Sequence, residues 1–287
     1  MSSHMPSIKK FWALYNTVGW WEWEKCLYPT RLDTYGQGCS HNCSYCYARS
    51  LLAFRWLRHP NNPKFIDLKT AYKIIAEEIP KGQVTRLWGM TDCFQPVEAI
   101  HRITYNVLKA FNHYKKPYLI VTKSDLVARD DYIKVLDPKL AHIQITITST
   151  DDELAASYEK ASPPSKRIQA IEKLAGLWYD VQIRLSPFIP QYVEINKINA
   201  IKCDKIIVEF LRVNTFIRQR FKIDYSDYTL KEWWYNHLPL EKKIQLISKI
   251  KKSQISVCED VQEHYKYRKE HFNYNPDDCC NLNLNHN

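Results

Sequence analysis

The chain has 287 residues, of which 45% are hydrophobic and 25% are charged, and its formal net charge at pH 7 is +10. This length suits one large domain or two small ones, and the hydrophobic fraction is sufficient for a core. No run of about eighteen apolar residues occurs, which excludes a membrane-spanning helix.

The positive charge favours an anionic partner, and nucleic acid is the first candidate. AT-rich coding also produces basic chains, so charge alone leaves the partner open. The N-terminal stretch MSSHMPSIKKFWALY lacks the apolar region of a secretion signal, and we therefore expect a cytoplasmic protein. In such a protein, nine cysteines indicate reduced thiols that serve metal binding or catalysis rather than disulfides.

Strand-like and helix-like segments alternate along the chain. The strand-like segments are rich in β-branched residues and bounded by turn formers; they are 84–90, 117–123, 142–149, 179–187, 205–213 and 254–260. Helices are predicted at 97–113, 129–136, 151–157, 164–176, 193–201 and 230–251, with one more after the last strand. The alternation predicts an α/β fold: a partial (βα)6 TIM-type barrel of parallel strands joined by right-handed crossovers.

Three parts of the chain are expected from this pattern. Residues 1–32 form an N-terminal extension that packs on the barrel, residues 33–260 form the barrel, and residues 261–287 form a C-terminal helix and polar tail. The composition of the final stretch, NPDDCCNLNLNHN, predicts a disordered end.

Polar residues end five consecutive predicted strands. Active sites of (βα) barrels lie at the C-terminal strand ends. Strands also end in polar residues because the chain must turn into water, so the pattern is weak evidence by itself. In chain order the polar residues are Thr91, Asp92 and Cys93; Thr122, Lys123 and Ser124; Thr146 and Thr148; Arg184 and Ser186; and Glu209 and Arg212.

Three cysteines are crowded into the stretch GQGCSHNCSYCYAR, at Cys39, Cys43 and Cys46. Thiolates are soft ligands that suit zinc, copper(I) or iron–sulfur clusters. A closed zinc site needs four ligands, and His41 in the same loop is a candidate for the fourth. Three cysteines can instead bind three irons of a four-iron four-sulfur cube and leave the fourth iron open to another molecule.

The CxxxCxxC spacing, with Tyr45 before the last cysteine, resembles the signature of the radical S-adenosylmethionine (SAM) superfamily. The longer stretch GCSHNCSYCYAR resembles the subgroup that contains spore photoproduct lyase. Later segments resemble that subgroup in the same order, although Lys160 stands where the subgroup usually has proline. They are TDCFQPVE (91–98), IVTKSDLVARD (120–130), SYEKASPPSKRIQAIEKL (157–174) and IRLSPFIP (183–190).

The resemblance implies a four-iron four-sulfur cluster whose open iron binds SAM. The reduced cluster cleaves SAM to a 5′-deoxyadenosyl radical, which abstracts hydrogen from the substrate. A reducing protein such as flavodoxin or ferredoxin is an implied partner. By position, the residues expected to contact SAM are Tyr45 beside the adenine, Thr91 and Asp92 at the amino group, and Lys123, Ser124, Thr146, Thr148 and Arg184 around the rest.

Cys93 is a candidate hydrogen donor, because spore photoproduct lyase uses a cysteine in this region, although the register differs by a few residues. A buried structural thiol is the alternative. Cys258, Cys279 and Cys280 come late in the chain, and a metal bound there would need a fourth ligand, such as Cys26 or Cys203.

Two stretches interleave basic and aromatic residues, as surfaces that bind nucleic acid do. In RSLLAFRWLRH (49–59) the helical pattern favours aromatic residues in the core and arginines in solvent. RVNTFIRQRFK (212–222) follows a strand end and is the better candidate. Its residues for binding nucleic acid are Arg212, Phe216, Arg218, Arg220 and Lys222.

Together these observations predict a radical SAM enzyme that abstracts hydrogen from a nucleic-acid base. A thymine derivative in DNA is the expected target, for base modification or isomerisation or for photoproduct repair. Such an enzyme would suit a phage with an AT-rich genome, acting in the host cytoplasm. The alternatives are a radical SAM enzyme acting on a small metabolite or peptide, and a zinc-bearing nucleic-acid-binding module without catalysis.

Overall fold

The structure is a computed structural model whose described residues form an α/β partial barrel. It describes residues 13–16, 26–36, 38–49, 63–87 and 89–284. The strands are β1 (Leu14–Asn16), β2 (Thr30–Leu32), β3 (Tyr35–Gly36), β4 (Lys64–Phe65), β5 (Thr85–Leu87), β6 (Tyr118–Thr122), β7 (Ala141–Ile147), β8 (Asp180–Phe188), β9 (Lys205–Phe210), β10 (Leu230–Glu232), β11 (Tyr235–His237) and β12 (Gln254–Val257).

Eight of these strands form one sheet, in the order β1-β2-β5-β6-β7-β8-β9-β12. The strands from β2 to β12 run parallel, and β1 is antiparallel to β2. Among the described residues β1 and β12 are the two edges, as expected for a barrel that is not closed. The predicted parallel α/β barrel is confirmed. The pattern did not reveal β2, because it is only 3 residues long.

Helices connect the parallel strands and cover one face of the sheet. None of the described helices is long and apolar enough to cross a membrane. The α-helices are α1 (Leu68–Lys73), α2 (Glu98–His101), α3 (Ile103–His113), α4 (Asp130–Ile133), α5 (Asp152–Tyr158), α6 (Pro164–Gly176), α7 (Ile195–Ala200), α8 (Thr215–Arg220), α9 (Leu240–Ile247) and α10 (Gln262–Tyr267).

The two faces of the sheet differ in chemistry because side chains alternate along each strand. On β6, Ile120 joins the main core, whereas Leu119 and Val121 join a second, smaller cluster on the opposite face. Helix α6 packs on the outer face of β7 and β8. The inner face is partly polar: Gln144 Nε2 donates to Gln182 Oε1 at 2.7 Å. The barrel interior can therefore hold polar and charged groups.

The helix predicted over 230–251 is wrong in its first half. Strands β10 and β11 pair as an antiparallel hairpin there, and α9 begins only after Pro239. Trp233 and Trp234 form the two-residue turn, and Trp233 takes a left-handed conformation with φ of 54°. Such a conformation suits tight hairpin turns, and Pro239 has no N–H to continue a helix through that position.

The disorder predicted for the C-terminal tail is wrong over its described residues, 275–284. Tyr28 donates to the Asp278 carboxylate at 2.6 Å. Gln182 on β8 donates to the Cys280 carbonyl at 2.9 Å, and Lys205 Nζ donates to the Asn281 carbonyl at 2.9 Å. Polar composition misled the prediction because these polar groups are satisfied by residues distant in the chain.

Glu98 organises the start of α3. Its side chain is fully buried, and its carboxylate accepts hydrogen bonds from the hydroxyls of Tyr35 and Tyr132, each at 2.5 Å. It also accepts from the backbone N–H groups of Thr104 and Tyr105, each at 2.9 Å. These bonds start a new helix, which explains why the single helix predicted over 97–113 is divided.

We expect Glu98→Ala to lower the free energy of unfolding by roughly 2–4 kcal/mol, because buried donors lose their acceptor. Glu98→Gln keeps an acceptor of similar size and should lose less. Urea unfolding followed by circular dichroism measures both. Exposed Glu78→Ala is the control and should stay within about 0.5 kcal/mol of the parent protein. Parent-like unfolding of Glu98→Ala would contradict this role.

Candidate active site

A cavity opens at the C-terminal ends of the parallel strands, with about 740 Å³ of empty space when the solvent at its mouth is included. The three loop cysteines, Cys39, Cys43 and Cys46, all line this cavity. Five other residues that the sequence predicts to bind SAM or nucleic acid also line it: Tyr45, Thr91, Asp92, Lys123 and Arg212. Residues far from the cysteine loop in the sequence therefore line the same cavity as the loop.

Backbone contacts from a distant segment hold the cysteine loop in place. Ser44 N–H donates to the Tyr158 carbonyl at 2.9 Å, and Lys160 N–H donates to the His41 carbonyl at 2.6 Å. On the other side, the side-chain oxygen of the fully buried Gln95 accepts from Ser40 N–H at 2.9 Å. The segments 157–174 and 91–98 thus act as braces of the loop.

The buried carboxylate of Glu159 joins the loop to the barrel. It pairs with Arg167 and accepts the hydroxyl of Tyr45, and Thr148 Oγ1 donates to it at 3.0 Å. Burial alone would raise the pKa of Glu159, but the charges of Arg167 and Lys123 hold this pKa below its usual range. Glu159 is therefore ionised, and it fixes the orientation of Tyr45 in the cavity wall.

Asp92 is a buried carboxylate of the cavity wall that accepts several hydrogen bonds. It accepts hydrogen bonds from Thr122 Oγ1 at 2.8 Å, from Lys123 N–H at 2.7 Å and from Phe94 N–H at 2.8 Å. His41 Nε2 lies 3.1 Å from its Oδ2. Burial would raise the pKa of Asp92, but His41 and these hydrogen bonds lower it. Asp92 presents a fixed negative charge beside the cysteines.

His41 is directed at protein groups through both ring nitrogens. Nε2 faces Asp92, and Nδ1 lies 3.5 Å from the carbonyl of Lys160. Asp92 therefore competes for the ring nitrogen that His41 would offer as a fourth metal ligand. The loop offers three thiols, which matches a cluster with one open iron better than a closed zinc site.

Two of the loop thiols, those of Cys39 and Cys43, are held in protonated form until metal binds. Burial raises the pKa of Cys39 to about 12 and raises that of Cys43 well above its usual range. No set of three or more His, Cys, Asp or Glu side chains among the described residues stands ready-made for a metal. Coordination deprotonates thiols outright, so the loop cysteines would turn toward the metal as it binds. Three soft donors on the wall of one cavity fit an iron–sulfur cube.

Glu209 adds a second carboxylate on the opposite wall. It pairs with Arg184, and Ser186 Oγ donates to it at 2.8 Å. Burial would raise its pKa, but Arg184 and Arg212 lower the pKa of Glu209 to about 2. Glu209 therefore stays ionised at neutral pH.

Arg212 lies at the cavity wall between two aromatic rings. Its guanidinium carbon is 5.1 Å from the centre of the Tyr47 ring and 5.4 Å from that of Tyr235, and it donates to Asp260 at 3.2 Å. The two rings position the guanidinium, and Asp260 forms an ion pair with it. The cavity wall thus carries cationic groups at Arg212 and Lys123 and carboxylates at Asp92 and Glu209.

Five predicted site residues lie behind the cavity wall rather than in it. Ser124 accepts from Leu126 N–H at 3.3 Å, the carbonyl of Thr146 accepts from Arg167 at 2.9 Å, Thr148 donates to Glu159, and Arg184 binds Glu209. Cys93 is 2% exposed and belongs to the hydrophobic core. The sequence could not separate these residues from the lining because both kinds sit at strand ends.

A second groove, with about 640 Å³ of empty space including open solvent, borders the other side of the cysteine loop. Its basic residues are Arg49, Lys160 and Arg220. Of the predicted nucleic-acid residues, Arg220 lines this groove, whereas Arg218 lies over the Tyr225 ring at 4.6 Å. Phe216, Lys222 and Arg218 line neither the groove nor the cavity. Residues 50–59 of the other basic–aromatic stretch lie outside the described residues.

The sequence analysis did not identify the role of Glu159, the place of Tyr47 in the cavity wall or the place of Arg49 in the groove. The only signal for Glu159 was its place in the segment 157–174, since a lone glutamate usually faces solvent. Arg49 was assigned to a solvated helix face, yet its Nη1 donates to the Asn42 and Cys43 carbonyls at 3.2 and 3.3 Å. Its guanidinium therefore also braces the cysteine loop.

The fold and the site define an enzyme on a parallel-stranded barrel with a three-cysteine iron–sulfur loop at its rim. The chain belongs to the radical SAM superfamily, whose family model matches residues 34–187, just over half of the chain. Its cofactors are a four-iron four-sulfur cluster and SAM. The structure thus supports the catalytic interpretation over a zinc-bearing module.

Solved structures of spore photoproduct lyase share this fold. A complex with dinucleoside spore photoproduct has a TM-score of 0.56 and 16% identity, and covers 79% of this chain and 73% of that one. A variant with bound AdoMet and dinucleoside spore photoproduct has a TM-score of 0.57 and 16% identity, covering 78% and 72%. The predicted resemblance to the spore photoproduct lyase subgroup is confirmed at the level of the fold.

Curated relatives include uncharacterized proteins of Mycobacterium tuberculosis (Rv2578c) and Mycobacterium bovis (Mb2609c). Each is 24% identical over 179 residues, which cover 58% of this chain and 52% of the relative. The chain thus spans about half the length of the curated relatives it matches.

We expect Cys43→Ala to lose the iron and the visible absorbance near ~400 nm of the anaerobically reconstituted protein, because one of three cluster ligands is removed. Cys203→Ala is the matched control: Cys203 is also buried, but its thiol contacts the Val181 carbonyl at 3.5 Å, away from the cavity. Iron and sulfide analysis of both variants gives the result. Full iron content in Cys43→Ala would contradict the assignment of the loop.

Proposed function

We propose that this radical SAM enzyme acts on a nucleic-acid base, a thymine derivative in DNA, and modifies it. The observation that carries the proposal is the surface around the cavity, where a basic groove borders the cysteine loop and an exposed aromatic hairpin contacts Arg212 of the cavity wall. The dinucleoside spore photoproduct bound by spore photoproduct lyase is a DNA-derived ligand of that protein, and it supports a similar substrate class here.

The hairpin β10–β11 supplies an aromatic surface suited to bases. At its turn Trp233 is 57% exposed and Trp234 is 82% exposed. Its base is linked to the cavity, because Val213 N–H donates to the Asn236 carbonyl at 3.0 Å and Arg212 contacts the Tyr235 ring. Aromatic side chains stack on bases or fill the space of an extruded one, so this turn suits the surroundings of a flipped base.

The basic groove suits the phosphates that flank such a base. Arg49, Lys160 and Arg220 bring three cations to a groove that shares the cysteine loop with the cavity. Phosphate contacts position nucleic acid without reading its sequence. The net charge of +10 supports the same partner.

In the cavity, this chain's charges would orient SAM. Cys39, Cys43 and Cys46 would hold the cluster, which would supply the electron for reductive cleavage of SAM and so for hydrogen abstraction from the substrate. Asp92 would accept hydrogen bonds from the SAM ammonium, and Lys123 would donate to its carboxylate. Glu209 would accept ribose hydroxyls, and the Tyr45 ring would contact the adenine. A flavodoxin or ferredoxin would be the electron donor.

Base modification is favoured over photoproduct repair because of where the thiols lie. Among the described lining residues, the thiols are those of the three loop cysteines. Cys93, the candidate hydrogen donor, is buried in the core. A product radical in the cavity would therefore not meet Cys93 without a rearrangement of the core.

The test is release of 5′-deoxyadenosine by the reconstituted, reduced protein with SAM. We expect thymine-containing or modified-thymine DNA to raise the rate and to exchange deuterium with labelled SAM or its 5′-deoxyadenosine product. A protein without Cys43 is the negative control. If DNA does not change the rate of SAM cleavage, the assignment of DNA as the substrate is wrong, although the assignment to the radical SAM class still holds. Peptides and nucleotides would then be tested as substrates.

Trp234→Ala should weaken DNA binding roughly 5–100-fold, the loss expected for one base-stacking contact. Trp178→Ala is the matched control, because Trp178 is 91% exposed but precedes β8 at the opposite end of the barrel. Fluorescence anisotropy at fixed salt measures both, and SAM cleavage without DNA should not change in either variant. Equal affinities for the two variants would rule out the hairpin as a base-binding element.

A further inference from the structure

Four cysteines that the radical chemistry does not use come together on the inner face of the barrel. Cys280 belongs to the small cluster with Leu119, Val121 and Ile207, and three other thiols pack against that cluster: Cys26, Cys258 and Cys279. They come from three separate regions of the chain. Cys26 precedes β2, Cys258 directly follows β12, and the other two lie in the C-terminal tail.

The four thiols pack against one small cluster and lie close enough to affect one another's ionisation. Cys258 and Cys280 both raise the pKa of Cys279. Cys26 interacts electrostatically with Cys280 and Cys258. Four thiols from three parts of the chain match the ligand number of a closed, four-coordinate structural zinc site.

A turn held by hydrogen bonds allows the adjacent Cys279 and Cys280 to bind the same metal ion. The Asp278 carboxylate accepts from Cys280 N–H at 2.8 Å, from Leu282 N–H at 3.1 Å and from Tyr28 at 2.6 Å. Asn281 takes a left-handed conformation with φ of 45°. Neighbouring residues of a strand would face opposite ways, but in this turn both cysteines pack on the same cluster.

The charge around the thiols complements a tetrathiolate site. Zn²⁺ bound by four thiolates has a net charge of −2, and the four thiols release their protons on binding. Arg86 is buried and its Nη1 lies 3.7 Å from Cys26 Sγ. Arg184 interacts with Cys258 and Cys280 while it pairs with Glu209 at the cavity wall. Two guanidinium groups thus face the thiols.

We propose that Cys26, Cys258, Cys279 and Cys280 form a closed four-thiolate site for a single zinc ion, separate from the catalytic cluster. In their present rotamers the protonated thiols are not a finished coordination shell, like those of the catalytic loop. The ion would tie the segment before β2 to the tail and to the end of β12 at the far edge of the sheet. A structural zinc ion would therefore cross-link these segments of the open barrel.

The test uses the full chain with Cys39, Cys43 and Cys46 all replaced by alanine, so that the catalytic cluster is absent. We expect about one zinc per chain after anaerobic purification, with an X-ray absorption spectrum of four sulfur ligands at about 2.3 Å. Adding Cys279→Ser or Cys258→Ser should abolish the bound zinc, whereas adding Cys203→Ser should not. A zinc chelator should lower the melting temperature only where the four cysteines are intact.

Two results would overturn the proposal. One is the absence of zinc from the triple variant, with all four thiols open to alkylation after unfolding. The other is iron with sulfide in place of zinc, which would assign the thiols to a second iron–sulfur cluster. Because the readouts are metal content and melting temperature, they do not depend on the substrate or on catalysis.

Discussion

The buried carboxylate of Glu159 is the interaction on which the site depends. A charge removed from water is tolerated only when it is paired and hydrogen-bonded, and here Arg167 supplies the charge while Tyr45 and Thr148 supply hydroxyls. Tyr45 belongs to the cysteine loop, Thr148 follows β7 and Arg167 lies on α6. One carboxylate therefore joins the loop, the sheet and the helix layer, and the positions of the cluster ligands follow from it.

The inner face of the barrel is divided into two chemical regions. Toward the strand ends, Asp92 and Glu209 stay ionised beside Lys123, which suits a cofactor that carries both charges. On the other side of Arg184 the interior holds four thiols and the C-terminal tail. The tail thus fills space that a closed barrel would fill with strand side chains, and polar groups such as Gln182 are satisfied by its backbone.

The surface around the cysteine loop combines the two properties that nucleic acid requires. Cations in the groove suit phosphates, and the tryptophan turn suits bases. Both are anchored to the elements that build the cavity: Arg49 bonds to loop carbonyls, and Tyr235 of the hairpin contacts Arg212. Substrate binding and radical generation would therefore share a rigid frame.

The sequence by itself determined the six predicted strands, the barrel class and the three cluster cysteines, because β-branched runs and ligand spacing act over short stretches of chain. It could not determine that residues 230–237 form a hairpin, which depends on the left-handed Trp233, or that the tail is ordered. Tyr28 and Asp278 meet although they are 250 positions apart. Only the tertiary structure decided which strand-end residues face the cavity, how Glu159 holds the loop and that four distant cysteines converge, because those contacts exist only once the sheet has curved and brought its edges and ends together.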